Sequence, residues 1–247
     1  MIIETKVGKE TIFFDEEPHK FWRMENGKKV RISGVTTFTG IIDKSTPLII
    51  WATRLSGAYL KDLLKNGTII GESEIDTAIK QHQIRKQEAA DTGTQIHALV
   101  SAWIKQEQIN IPADLDPKIR NGFDAFLKFQ TEHKAKWLES EFIVYSETFD
   151  FAGIADAVAE IDGKLVLVDF KSSNSLYPEH AFQAAAYQLA YEEMTGKKID
   201  HRLIIRFGKE DGEFEVKKYE ENDKDINGFL ACVNLKRRLK ELDTYKK

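Results

Sequence analysis

Residues 151–171 read FAGIADAVAEIDGKLVLVDFK, two strand-like runs separated by Asp162-Gly163 alone. Asp-Gly between alternating apolar residues is a strong signal for a two-residue hairpin turn. A symmetric loop pairs Ile161 with Lys164, and counting outward sets Glu160 against Leu165, Val158 against Leu167 and Asp156 against Asp169. Side chains alternate along a strand, so Asp169 and Lys171 share one face and Phe170 takes the other. Three charged groups, Asp156, Asp169 and Lys171, therefore converge at the end of an apolar strand.

Like charges directly opposed, with β-carbons about 4.5–5.5 Å apart, are destabilising unless compensated. One explanation is a solvated strand end whose lysine neutralises two aspartates. The other is a divalent cation. Two hard oxygen ligands at this spacing suit Mg²⁺ or Mn²⁺, the backbone carbonyl of Phe170 can add a ligand, and Lys171 then faces water and a phosphate. A glycosidase also uses two carboxylates about 5 Å apart, but the lysine on their face and the absence of a barrel-like repeat disfavour it.

Around the hairpin the order of elements is mixed. Strands are expected at Thr11–Phe14, Phe21–Met24 and Lys29–Ser33, the last two joined by Asn26-Gly27. Helices follow from Pro47 to Gly67, from about Glu74 to Lys105 and from about Asp116 to Lys136. ESEFIVYSE then precedes the hairpin, a helix from Pro178 to before Gly196 follows it, and HRLIIRF is a further strand. The fold class is α/β, a mixed central sheet flanked by helices, with an N-terminal β-hairpin and helical accessory region.

The 247 residues carry a net charge of −4, with 42% hydrophobic and 31% charged residues, as in a soluble globular protein. That charge gives no global attraction to nucleic acid or to an anionic membrane, so a polyanion must be held by local basic groups or by metal ions. The single cysteine, Cys232, excludes an internal disulfide and an iron–sulfur cluster built from this chain's own cysteines. The N-terminal residues MIIETKVGKE lack an apolar signal core and no apolar run is long enough to span a bilayer, so a cytoplasmic location and no membrane partner are expected.

GIAD (153–156), DFK (169–171) and QAAAY (183–187), in this order after GTQIH (93–97), resemble the PD-(D/E)XK nuclease superfamily in its RecB-like branch. Ala155 stands where the family's name has proline. SGVTTFTGIID and LIIWA are similar to words of a narrower group, the mitochondrial genome maintenance exonuclease and related phage exonucleases. The resemblance implies a metal-dependent DNA exonuclease acting from DNA ends, in phage or bacterial replication, recombination or repair, with DNA, single-stranded forms included, as partner. A PD-(D/E)XK endonuclease and a catalytically silent nucleic-acid-binding domain are the alternatives. It implies one or two Mg²⁺ or Mn²⁺ ions held by Asp156, Asp169, His97, the Phe170 carbonyl and Glu141. Lys171, Gln183 and Tyr187 join the two aspartates as catalytic residues. Residues 1–110 would cover the site and contribute His97, and 111–247 would be the nuclease core, together one compact unit.

Each position also has a plainer reading. His97 shares a helical face with Gly93 and Val100, where a histidine is either a satisfied core residue or a ligand. Gln183 and Tyr187 are four apart on an alanine-rich helix, where packing is the default, and Glu141 at a strand start is otherwise a solvent-facing charge. Thr36 and Thr37, and Ser172 and Ser173, are candidate DNA phosphate contacts or only a cap and a turn. Arg237, with Lys236, Arg238 and Lys240 in NLKRRLKELDTYKK, is either a DNA backbone contact or part of a solvated helix face. Trp51, Tyr59 and Trp103 are base-stacking candidates whose alternative is core packing.

Overall fold

The computed structural model describes residues 1–244, so the last three residues of the basic run, 245–247, lie outside the described residues. Contacts divide the chain into two units, Met1–Ile42 with Ile96–Lys247, and Asp43–Gln95. The second unit holds α2 (Ser45–Lys65), with Pro47 in its first turn, and the first part of α3 (Glu72–Ile104). Within it the Ser56 hydroxyl donates to the Ala78 carbonyl at 2.7 Å.

The first unit is built on a sheet of nine strands among the described residues. Four of them, β1 (Ile2–Val7), β2 (Glu10–Asp15), β3 (Lys20–Glu25) and β4 (Lys28–Gly34), form an antiparallel meander. β1 was not foreseen, because it presents almost no apolar alternation. Asn26 and Gly27 turn with φ of 49° and 76°, the positive pair that a tight hairpin needs. The central strands are β5 (Lys136–Ser146), β6 (Phe151–Ile161) and β7 (Lys164–Lys171), followed by β8 (His201–Phe207) and β9 (Phe214–Tyr219). β7 and β8 run parallel, and the crossover between them is α5 (Pro178–Thr195).

Two helical layers cover the sheet. Val166, Val168 and Phe170 of β7, with Leu203, Ile205 and Phe207 of β8, pack against Ile96 and Val100 of α3 and Phe123, Phe126 and Phe129 of α4 (Pro117–His133). Leu167 and Ile204 face the other way, onto Ala184, Tyr187 and Ala190 of α5, with Val35 of α1 (Val35–Thr39) and Phe229 of α6 (Asn222–Thr244). α4 stops three residues short of the expected end, because Lys134 takes a left-handed C-cap conformation with φ of 48°. Its start is as expected, with the Asp116 side chain accepting from Lys118 N.

α5 is held at both ends. Fully buried Arg202 donates to the Ala181 carbonyl at 3.1 Å and to Asp225 of α6 at 2.7 Å. Near the far end, the Glu192 carboxylate accepts from Gln188, Lys198 and the Ile199 amide. Burial works against that carboxylate, but these hydrogen bonds outweigh it and lower its pKa below the ordinary value.

The β6–β7 hairpin has the register counted from its turn, from Ile161↔Lys164 through Val158↔Leu167. It ends at Ala157↔Val168, so Asp156 and Asp169 are not a ladder pair. The reason lies on β6. Its one edge pairs with β5 along its length, while the other carries β4 at Phe151 and Ala152 and β7 only from Ala157. Residues 153–156 are left unpaired on that edge, an opening in the middle of the sheet.

Among the described residues no helix is long and apolar enough to cross a membrane.

Candidate active site

The opening is lined from both helical layers. Gly153 sits where β6 is unpaired, and a Cβ there would lie 3.1 Å from Tyr187 Cδ1, nearer still to Tyr187 Cε1, and 3.3 Å from Val35 Cγ2. The glycine lets the tyrosine ring lie on the strand. Three residues on, the Asp156 carboxylate accepts from the Phe170 amide at 2.6 Å, replacing the missing ladder bond with a side-chain one. N–H and C=O of one strand residue point to the same neighbour, so the Phe170 carbonyl faces the opening as well.

Glu141 is opposite Asp156 in register, between the pairs Ser140↔Ala157 and Phe142↔Ala155, yet neither residue belongs to the ladder. Its φ is 51°, a left-handed conformation inside a strand. Such strain, of order 1–3 kcal/mol, persists where the surroundings impose it and is frequent at functional sites. From α3, His97 Nδ1 lies 3.7 Å from Glu141 Oε1 and 3.7 Å from Asp156 Oδ1. Ligand-type atoms of His97, Glu141 and Asp156 all fall within 4.8 Å of one another.

Asp169 and Lys171 stand on the α5 side. Asp169 is 1% exposed and its Oδ2 is 2.7 Å from Lys171 Nζ. Its Oδ1 is buried with no hydrogen-bond partner among the described residues. Lys171 Nζ donates to Gln183 Oε1 at 3.0 Å, and Gln183 Nε2 donates to Tyr187 Oη at 2.8 Å. The expected trio is thus split into Asp156, with His97 and Glu141, and the pair Asp169 and Lys171.

The charges are interdependent. Burial raises the pKa of Asp156 and of Asp169, against the pull of His97 and Lys171 on the first and of Lys171 on the second. Burial disfavours the His97 cation, but Asp156 and Glu141 outweigh it and its pKa is raised. The same holds for Lys171, where Asp169 and Asp156 overcome burial and keep the ammonium charged. Burial also raises the Tyr187 pKa, so its phenol stays protonated.

A divalent cation fits this donor set. The His97 imidazole and the Glu141 and Asp156 carboxylates, with ligand-type atoms all within 4.8 Å of one another, are what such an ion satisfies, and Asp169 adds a buried carboxylate oxygen without a hydrogen-bond partner outside that group. Glu141, whose backbone is left-handed, has a carboxylate oxygen in this cluster. The Phe170 amide, which holds Asp156, was not foreseen, and nothing in the sequence marks it.

The other expected contacts have these places. Thr36 and Thr37 are exposed in α1, whose N-terminus has no side-chain cap, so neither caps the helix. Ser172 and Ser173 follow Lys171 directly, with the Ser173 hydroxyl donating to the Ser175 carbonyl at 2.7 Å. Arg237 donates to the Phe149 carbonyl at 2.6 Å and lies over the Phe38 ring. Arg238 pairs with Glu241 along α6. Trp103 packs edge-on against Phe126 at 5.2 Å, as core.

Residues 119–241 match the family model of the PD-(D/E)XK nuclease superfamily. No curated protein matches the chain. Among solved structures, the chain is similar to a candidate exonuclease from Eubacterium rectale, at 14% identity and a TM-score of 0.42, covering 58% of this chain and 64% of that one. It is also similar to an alkaline exonuclease, LHK-Exo, from Laribacter hongkongensis, at 14% identity and a TM-score of 0.31, over 62% of this chain and 85% of that one. LHK-Exo in complex with dAMP gives 15% identity and a TM-score of 0.32, over 62% and 86%. The hairpin, the parallel β7–β8 pair with its crossover helix, and Glu141, Asp156, Asp169 and Lys171 lie within the matched segment, while His97 precedes it; residues 119–241 thus match a PD-(D/E)XK nuclease superfamily domain.

Proposed function

We propose that this chain is a divalent-metal-dependent deoxyribonuclease that hydrolyses phosphodiester bonds from DNA ends. The observation that carries the reading is the meeting of two groups at one opening: His97, Glu141 and Asp156 on one side, Asp169 and Lys171 on the other. The end-acting role and a phage or bacterial replication, recombination or repair context rest on the resemblance of SGVTTFTGIID and LIIWA to the exonuclease group. Mg²⁺ and Mn²⁺ are the ions of choice for a set dominated by carboxylate oxygen.

His97, Glu141, Asp156, Asp169 Oδ1 and the Phe170 carbonyl would hold the metal. A divalent ion supplies water of lowered pKa and offsets negative charge on the phosphate. The rest is the work of the side chains. The Phe170 amide fixes the Asp156 carboxylate. Lys171 has three N–H donors, of which one goes to Asp169 and one to Gln183, leaving the third for the reacting water or a phosphate oxygen. Lys171, kept charged against burial by Asp169 and Asp156, can act as a donor that stabilises developing negative charge. Gln183 and Tyr187 orient it through their hydrogen-bond chain.

The test is degradation of end-labelled linear, closed-circular and single-stranded DNA with Mg²⁺, Mn²⁺ or EDTA. Metal-dependent loss of linear but not circular DNA is expected. Equal cleavage of closed circles removes the end-acting role, and no cleavage with either ion removes the enzyme reading.

A further inference from the structure

Arg206 stands one strand away from Lys171. The parallel β7–β8 ladder registers Lys171 with Arg206. On β8, Ile204 packs with α5 and Arg202 reaches the Ala181 carbonyl, while Leu203, Ile205 and Phe207 belong to the opposite layer. Alternation therefore puts Arg206 on the α5 side, the side on which Lys171 meets Gln183. Both residues lie at the carboxyl ends of parallel strands, the crevice where open α/β sheets take ligands.

The guanidinium is held but not used up. Its side chain is 21% exposed, and Nε donates to Glu215 Oε2 at 2.9 Å, Glu215 being its registered neighbour on β9. Among the described residues no other partner is seen for it, so the Nη1 and Nη2 edge is available to a second acceptor. A planar fork with one side fixed by a carboxylate is preorganised for a phosphate oxygen pair.

We propose that Arg206 binds the phosphate next to the scissile one in the nucleic-acid strand, with Glu215 holding the guanidinium in place. This rests on the nuclease reading above. Lysine and arginine at one height on strands about 4.8 Å apart, each with a long side chain, can reach two neighbouring phosphates of one nucleic-acid strand.

The experiment compares two substrates in Mn²⁺: labelled oligothymidylate, which has neighbouring phosphates, and bis(p-nitrophenyl) phosphate, which has one. Full-length wild type, Arg206→Ala, Arg206→Lys and Glu215→Gln are assayed. Arg206→Ala should lower kcat/KM on the oligonucleotide by roughly tenfold more than on the single diester, mainly through KM. Arg206→Lys should recover part of that loss, and it carries the test if the alanine variant fails to fold. In EDTA, the dependence of the logarithm of oligonucleotide affinity on log salt should flatten by about 0.7 in Arg206→Ala. Equal losses on the two substrates, or none on the oligonucleotide, overturn the assignment while the nuclease reading stands. Wild type inactive on both substrates overturns the nuclease reading and this assignment with it.

Discussion

A methyl group at position 153 has no room. The Gly153→Ala Cβ would lie 3.1 Å from Tyr187 Cδ1 and closer to Cε1, where ordinary contact begins at 3.4 Å, and Val35 Cγ2 closes the other side at 3.3 Å. Tyr187 is 4% exposed, so its ring must shift on the order of 1 Å against packed neighbours. Overpacking of this kind costs about 1–3 kcal/mol. The same shift stretches the 2.8 Å bond from Gln183 Nε2 to Tyr187 Oη past hydrogen-bond range and frees Gln183 from its hold on Lys171. A displacement of about 1 Å at a reacting group is worth about 10²-fold in rate. Urea unfolding should show a midpoint lowered by about 0.5–1 M at unchanged slope, and cleavage of labelled linear DNA should fall about 10²-fold. Tyr187→Phe separates the two effects, because it keeps the ring on Gly153 but removes the hydroxyl, and should lose rate with little loss of stability. A Gly153→Ala variant with wild-type midpoint and wild-type rate would refute the packing of this ring on β6 and the chain of orientation drawn from it.

Lys171→Met should abolish cleavage while oligonucleotide binding in EDTA persists; it also leaves Asp169 buried without its partner, so a stability loss of about 3–5 kcal/mol is expected in thermal unfolding. Mn²⁺ at about 100 times its dissociation constant should stabilise the wild-type protein by about 2.7 kcal/mol, and Asp156→Asn or His97→Ala should erase most of that shift. An equal Mn²⁺ shift in all three proteins would place the ion elsewhere. Glu192 has a lowered pKa in the folded state, so its contribution is fully present above the ordinary glutamate value and is lost as pH falls through the folded one. The difference in urea midpoint between wild type and Glu192→Gln should therefore be largest near neutral pH and shrink below about pH 4.5; a gap that widens on acidification contradicts the sign.

What could be read from the chain was local. Asp162-Gly163 fixed the hairpin register because a two-residue turn and strict alternation leave no freedom, and Asn26-Gly27 did the same in the meander. The motif words also marked His97, Asp156, Asp169, Lys171, Gln183 and Tyr187, and the structure brings them to one opening. What could not be read depends on partners far along the chain. Asp156 lies beyond the end of the β6–β7 ladder, on the β6 edge whose other end pairs with β4, more than a hundred residues earlier. The left-handed Glu141 faces Asp156 outside the β5–β6 ladder, and no glycine or asparagine announces it. Arg206 reaches the site only through the parallel register set by α5, which alternation within HRLIIRF cannot supply. Arg237 shows the reverse case, since its place in a basic run says nothing of the carbonyls of Phe149 and Asp150 that it binds.

The opening in the sheet has a further consequence for how activity arises during folding. His97 comes from the α3 layer, whose Ile96 and Val100 pack on one face, while Gln183 and Tyr187 come from the α5 layer on the other. The two sets meet only through the unpaired stretch of β6, which exists only once β4, β5 and β7 have all docked. A partly folded chain with a formed hairpin and one helical layer carries only part of the charged groups and so lacks the complete site of the proposed nuclease. On the proposed nuclease function, recovery of cleavage on refolding should therefore coincide with the last tertiary phase and lag behind secondary structure, with activity absent until the whole sheet is closed on both sides.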